Sequence, residues 1–159
     1  MYDRFVNYHL YMSAALSEAR AAVDAGEAAD GAVAVLDEAL VARGRSQVLG
    51  TGDPTAHAVL VVVREAVRKL GRSDLRGVVI FTAVEPCVMC VGALLESDVD
   101  GLVFAMPDPL AGAAGSVVQL ASGKLLPRRL EVVSGIMQRE AAEICDGARP
   151  ALRAPAARA

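Results

Sequence analysis

The apolar, β-branched run Val78-Val79-Ile80-Phe81-Thr82 is followed, a short turn later, by Pro86-Cys87-Val88-Met89-Cys90. A continuous apolar run of this kind reads as a strand buried on both faces. Proline is tolerated in the first turn of a helix, where its missing N–H would have had no partner. The two pieces therefore predict a strand that feeds directly into a helix from Cys87 to about Ser97, with two thiols one turn apart at its start. A chain with this unit at its centre must lay helices against a sheet, which confines it to layered α/β architectures.

The remaining segments fill in those layers. Met12, Leu16, Ala19 and Val23 recur at helical spacing, which predicts a helix from Tyr8 to Ala25, ended by Gly26. Ala32–Leu36 and Leu40–Ala42, on either side of Asp37-Glu38, read as a hairpin. Gly44, Ser46, Gly50 and Gly52 mark a loop from Gly44 to Pro54. Asp53-Pro54-Thr55 opens a second helix that runs to about Leu70, with Thr55 as the expected N-cap and Gly71 as the stop. Gly101–Ala105 and Leu130–Val133 read as strands, separated by a Gly/Pro loop over Met106–Gly115, and a last helix runs from about Gly135 to Cys145. The expected fold is a three-layer α/β/α sandwich around a mixed five-stranded sheet. It forms one domain over residues 1–146, with 147–159 as an Ala/Pro/Arg tail that frays.

Composition narrows the function classes. Apolar residues make up 54% of the chain and aromatics 4%, so the core must be built from Val, Leu, Ala and Met. The net charge of −3 argues against a broadly basic nucleic-acid surface. No apolar run is long enough for a membrane span. The charged first 25 residues do not read as a signal peptide. Three cysteines, two of them in a C-x-x-C, suit a reducing compartment, so a cytoplasmic protein is expected.

A helix start favours thiolate through its dipole and free N–H groups, and thiolate is the form that binds zinc. A zinc site with one open position needs a third protein ligand. The chain has two histidines: His9 lies on the first helix, and His57 lies in the first turn of the second. Two helix starts facing each other over the sheet could bring His57, Cys87 and Cys90 together. On spacing alone, a thiol redox pair at Cys87 and Cys90 stays open. Cys145 reads as a small buried residue and His9 as a helix-face residue.

Asp53-Pro54-Thr55-Ala56-His57-Ala58 and Val84-Glu85-Pro86-Cys87-Val88-Met89-Cys90 together resemble the zinc-dependent cytidine/deoxycytidylate deaminase superfamily. Asp108-Pro109-Leu110-Ala111-Gly112-Ala113-Ala114-Gly115-Ser116 resembles a loop of the bacterial tRNA adenosine deaminases. Guanine deaminases share much of the first two motifs. The resemblance spans about residues 8–145. It implies Zn2+ held by His57, Cys87 and Cys90, and a water activated to attack an amino-bearing ring carbon with loss of ammonia. It implies a nucleobase, a nucleoside or tRNA as partner, and a homodimer, for which Val88–Leu95 is a candidate surface. Ser46, Glu85, Pro86 and Asp108 are the implied substrate-facing positions. At Glu85 and Pro86 it is the backbone that would help hold the water, the Glu85 side chain being structural.

The chain departs from the family pattern at its chemical centre. The glutamate expected two residues after the histidine is Val59, which cannot move a proton. General acid–base catalysis is worth about 10²–10⁴-fold, and that one glutamate serves several transfers, so little or no activity is expected. Ser46 stands where many relatives carry an asparagine, Pro127-Arg128-Arg129 where tRNA adenosine deaminases carry Asn-His-Arg, and Leu110 where a basic residue is common. These changes weaken the case for tRNA, although Lys124, Arg128 and Arg129 could form a small basic patch. His-Ala-Val beside Pro-Cys-x-x-Cys also resembles the non-catalytic subunit of the eukaryotic tRNA adenosine deaminase heterodimer. Val59 is either a substitution introduced to trap substrate or a natural change, and Ser46, a second departure, favours the natural one. A naturally non-catalytic scaffold or binding subunit with a structural zinc is thus the competing expectation.

Overall fold

The computed structural model describes residues 7–146; the predicted tail at 147–159 lies outside the described residues. The elements are α1 (Tyr8–Asp24), β1 (Gly31–Leu36), β2 (Ala39–Arg45), α2 (Val48–Thr51), α3 (Ala58–Leu70), β3 (Val79–Val84), α4 (Val88–Glu96), β4 (Gly101–Met106), β5 (Glu131–Ser134) and α5 (Gln138–Asp146). The sheet order is β2-β1-β3-β4-β5. β1 pairs antiparallel with β2 and β3, whereas β3, β4 and β5 run parallel. The expected three layers and mixed five-stranded sheet are present.

Strand alternation sorts the core into two halves. Even-numbered residues of β1 and β3, such as Ala32, Ala34 and Ile80, pack with Val59, Val62, Cys90 and Leu94 of α3 and α4. Odd-numbered residues, such as Val33, Val35 and Phe81, pack with Met12, Leu16 and Ala19 of α1 and with Ala141 of α5. Burial of these chains is worth about 1.5–3 kcal/mol for each large apolar residue, so both faces are needed to hold the sheet. Gly31 fits its place because an added Cβ would run into the α1 backbone at Ala15 and Ala19, which lets α1 lie close on β1. Phe81 is fully buried, with its ring 5.3 Å from that of Tyr11.

The structure corrects several local expectations. The loop from Gly44 to Pro54 yields its first residues to β2 and contains the short α2. Glu27 holds that turn: its buried carboxylate accepts from the Gly50 N–H at 2.7 Å, the Leu49 N–H at 3.1 Å and the Ser46 hydroxyl at 3.3 Å. Thr55 does not cap the second helix. Its N–H and hydroxyl both donate to Asp53 Oδ1, at 2.8 and 2.7 Å, and α3 begins only at Ala58 with His57 at the N-cap. The last helix likewise starts at Gln138, because Gly135 and Met137 take positive φ and break the turn before it. Cys145 is half-buried rather than buried. Arg128 does not present a free basic patch: it pairs with Asp98 at 3.3 Å and donates to the Leu95 and Glu96 carbonyls at the end of α4.

Glu85 organises the long loop after β4. Its side chain is fully buried and accepts from the N–H groups of Asp108 (3.0 Å), Ala114 (2.9 Å) and Ser116 (3.0 Å), and from the Ser116 hydroxyl. Gly112 sits so close that an added Cβ would collide with the Glu85 carboxyl. Removing the carboxylate would leave several donors without partners, each worth about 1–3 kcal/mol when buried. Glu85→Ala is therefore expected to lower stability by about 3 kcal/mol or more. Chemical denaturation checks this, with hydrogen exchange at 108–116 as the local readout.

Candidate metal centre

His57 and Cys87 stand at equivalent places in two different helices. Each is the N-cap residue, with extended backbone (φ −69°, ψ 152° for His57; φ −76°, ψ 176° for Cys87). An N-cap side chain normally accepts a hydrogen bond from its own first turn. Neither of these does so, which leaves imidazole and thiol to face outward from the helix starts. Cys90 lies in the first turn of α4, one turn beyond Cys87, where the helix dipole favours a thiolate.

The two helix starts meet. His57 Nδ1 lies 3.6 Å from Cys87 Sγ and 3.5 Å from Cys90 Sγ. One ligand atom from each of the three residues lies within 4.8 Å of the other two. Cys90 is buried, and His57 and Cys87 are half-buried. Two sulfurs and one nitrogen at such distances fit a single tetrahedral ion such as zinc, with one position left over. A hydrogen bond from Cys90, aided by the hydrogen bond and charge of His57, holds the Cys87 thiol down to about 3 against the opposing effect of burial. Cys87 is therefore already in the form a metal takes.

The other expected site residues fall into place differently. Val59, at 1% exposure, packs into the apolar cluster beside Ala58, Val62 and Cys90. Ser46 is buried and its hydroxyl donates to Glu27. The Glu85 side chain is a loop anchor, and the Pro86 carbonyl accepts from the Ala113 N–H at 2.9 Å. The Asp108 carboxylate folds its own loop, accepting from the N–H groups of Leu110 (3.0 Å) and Ala111 (3.2 Å). Asp30 escaped the sequence reading. It is 4% exposed, and its Oδ2 accepts the Ala58 N–H at 3.3 Å, directly beside His57. The only signal for it was an acid immediately before an apolar strand, which is a common and uninformative placement.

With this geometry in hand, likeness to known proteins becomes specific. Residues 6–106 match the cytidine and deoxycytidylate deaminase zinc-binding region. The chain is 36% identical over 131 residues to a tRNA-specific adenosine deaminase of Bacillus subtilis, covering 82% of this chain and 81% of that protein. It is 34% identical over 111 residues to a guanine deaminase of the same organism, covering 69% and 71%. A solved structure from work on A-to-I editing by tRNA:A34 deaminases at the wobble position of transfer RNA superposes with a TM-score of 0.82 at 36% identity, covering 85% of this chain and 98% of that one. The paired helix starts, the ordered His-then-Cys-x-x-Cys motifs and these likenesses place the chain in the cytidine and deoxycytidylate deaminase family.

Proposed function

We propose that this chain is a cytoplasmic zinc protein that takes an amino-bearing nucleobase, free or within a nucleoside or tRNA, at the cluster of His57, Cys87 and Cys90. We further propose that it hydrolyses the base far more slowly than an acid at position 59 would allow. The convergence of the three ligand atoms within 4.8 Å carries the reading. Zinc bound there would supply Lewis acidity, lowering the pKa of a water in the fourth position. The chain's own groups fix where that happens: two helix starts aim the ligands, and the half-buried setting limits bulk water. The backbone around Glu85 and Pro86, held by the 108–116 loop, borders the place a base would occupy.

Val59 supports a second reading, a scaffold or binding subunit whose zinc only stabilises the fold. Its side chain belongs to the apolar core and carries no proton. Ammonia release from the zinc-loaded protein, offered adenosine-containing tRNA anticodon stem-loops, free purines and cytidine, separates the two. Turnover by the unaltered sequence rules out the scaffold. Silence from both the unaltered chain and Val59→Glu rules out the enzyme.

Four outcomes are expected. Elemental analysis should find one zinc per chain, lost in His57→Ala and Cys90→Ala, and a chelator should lower the melting temperature. Val59→Glu should raise ammonia release by about 10²–10⁴-fold, while lowering stability because a carboxylate replaces a buried methyl pair. In the metal-free protein, Cys87 has a folded pKa of about 3 against an ordinary 9.0. Its thiolate therefore contributes stability that is complete above pH 9 and is lost as the pH falls towards 3. Unfolding measured between pH 8.5 and 5 should show that decline, and Cys87→Ser should flatten it. Light scattering is expected to report a homodimer, with Val88, 54% exposed at the start of α4, as the position where a charge disrupts it.

A further inference from the structure

We propose that Cys87 and Cys90 form a peroxide-reactive pair, which hydrogen peroxide closes to a disulfide so that the centre gives up its ion. The inference rests on the zinc reading proposed above. It adds a covalent modification site at residues which that reading uses only as ligands.

The backbone sets the two thiols within reach of each other. Cys87 is the N-cap of α4, and Cys90 lies three residues on, in the first turn. The Cys87 carbonyl accepts the Val91 N–H at 2.9 Å, so the pair sits on one closed helical turn. Helix geometry puts Cα atoms at this spacing about 5 Å apart, inside the roughly 4.4–6.8 Å that a disulfide spans. The two sulfurs lie within 4.8 Å of each other and share a neighbour, His57 Nδ1, at 3.6 Å from Cys87 and 3.5 Å from Cys90. The backbone requirement is met, which leaves the remaining gap to side-chain rotation.

Exposure gives the two sulfurs different roles. Cys87 is half-buried and is followed by the exposed Val88. Cys90 is buried in the apolar cluster with Val59, Val62 and Val91. A partly exposed thiolate is the one an oxidant attacks, and a thiol beside it resolves the product. The third cysteine does not compete. Cys145 lies on α5, which packs through Ala141 on the face of the sheet opposite to Cys90. Of the three cysteines in the chain, only these two can therefore join within one folded molecule.

Hydrogen peroxide is the only co-reactant the step needs. The Cys87 sulfur attacks one peroxide oxygen: an S–O bond forms, the O–O bond breaks, and the departing hydroxide takes a proton to become water. The Cys90 sulfur then attacks the Cys87 sulfur. The S–S bond forms, the S–O bond breaks, and a second hydroxide leaves and is protonated. Two thiolates have lost two electrons, and one peroxide with two protons has become two waters. A disulfide sulfur is no longer an anionic donor, so His57 alone is left of the three ligands and the ion is released. A dithiol reductant reverses the change by exchange and restores both thiolates.

The test adds an equimolar amount of hydrogen peroxide to the zinc-loaded full chain. Zinc release is followed with a chromogenic chelator, free thiols by titration, and the linkage by mass spectrometry of the digested protein. The expected result is release of the bound zinc with loss of two of the three thiols. A Cys87–Cys90 link, lighter by two hydrogens, should appear with it, and dithiothreitol should restore both thiols and zinc binding. Cys145→Ala should behave as the unaltered chain does. Metal-free Cys90→Ser should stop at a Cys87 sulfenic acid, which dimedone captures. Zinc and thiols that persist under peroxide overturn the proposal and leave the metal reading intact. Zinc released without the link, or a link that runs to Cys145, does the same. A chain that takes up no zinc before peroxide is added overturns both.

Discussion

Backbone groups at one end of the sheet have to be satisfied without water, and three buried carboxylates do most of that. Glu27 takes the N–H groups of the turn after β2, Asp30 takes the first N–H of α3, and Glu85 takes those of the loop after β4. Among the described residues no buried side-chain nitrogen or oxygen lacks a partner. Because Asp30, brought in from another segment, meets this demand at α3, the N-cap side chain of that helix does not have to. His57 is thereby released from capping and can face Cys87, whose side chain makes no capping bond either. The metal centre depends on this division of labour: remote carboxylates serve the backbone, and local caps serve the site.

Position 59 stands apart from this capping arrangement. Val59 lies one residue inside α3 and packs with Val62, Cys90 and Val91. Its contribution there is apolar packing in the cluster that holds Cys90, and it takes no part in the hydrogen bond that caps α3.

The chain is similar to tRNA-specific adenosine deaminases and to a guanine deaminase over most of its length. Ser46 is occupied with Glu27, and Arg128 with Asp98 and the end of α4. Of the three basic residues of the expected patch, Arg128 thus serves the fold. Among the described residues no helix is long and apolar enough to cross a membrane.

The sequence by itself determined the layers and the ligand set. Apolar runs marked the strands, while helical spacing in the first helix and Pro and Gly punctuation around the second and third marked helices, because burial and chain-end chemistry leave local patterns. The motif order named His57, Cys87 and Cys90, the three residues that the fold gathers. Tertiary structure alone decided where α3 begins, since Thr55 is drawn to Asp53 and the helix is capped from 28 residues away by Asp30. It alone showed that Glu85 anchors a loop and that Asp30 caps the helix that His57 precedes. Hydrogen bonds between distant segments leave no periodicity in the chain, and only the folded register brings their partners within reach.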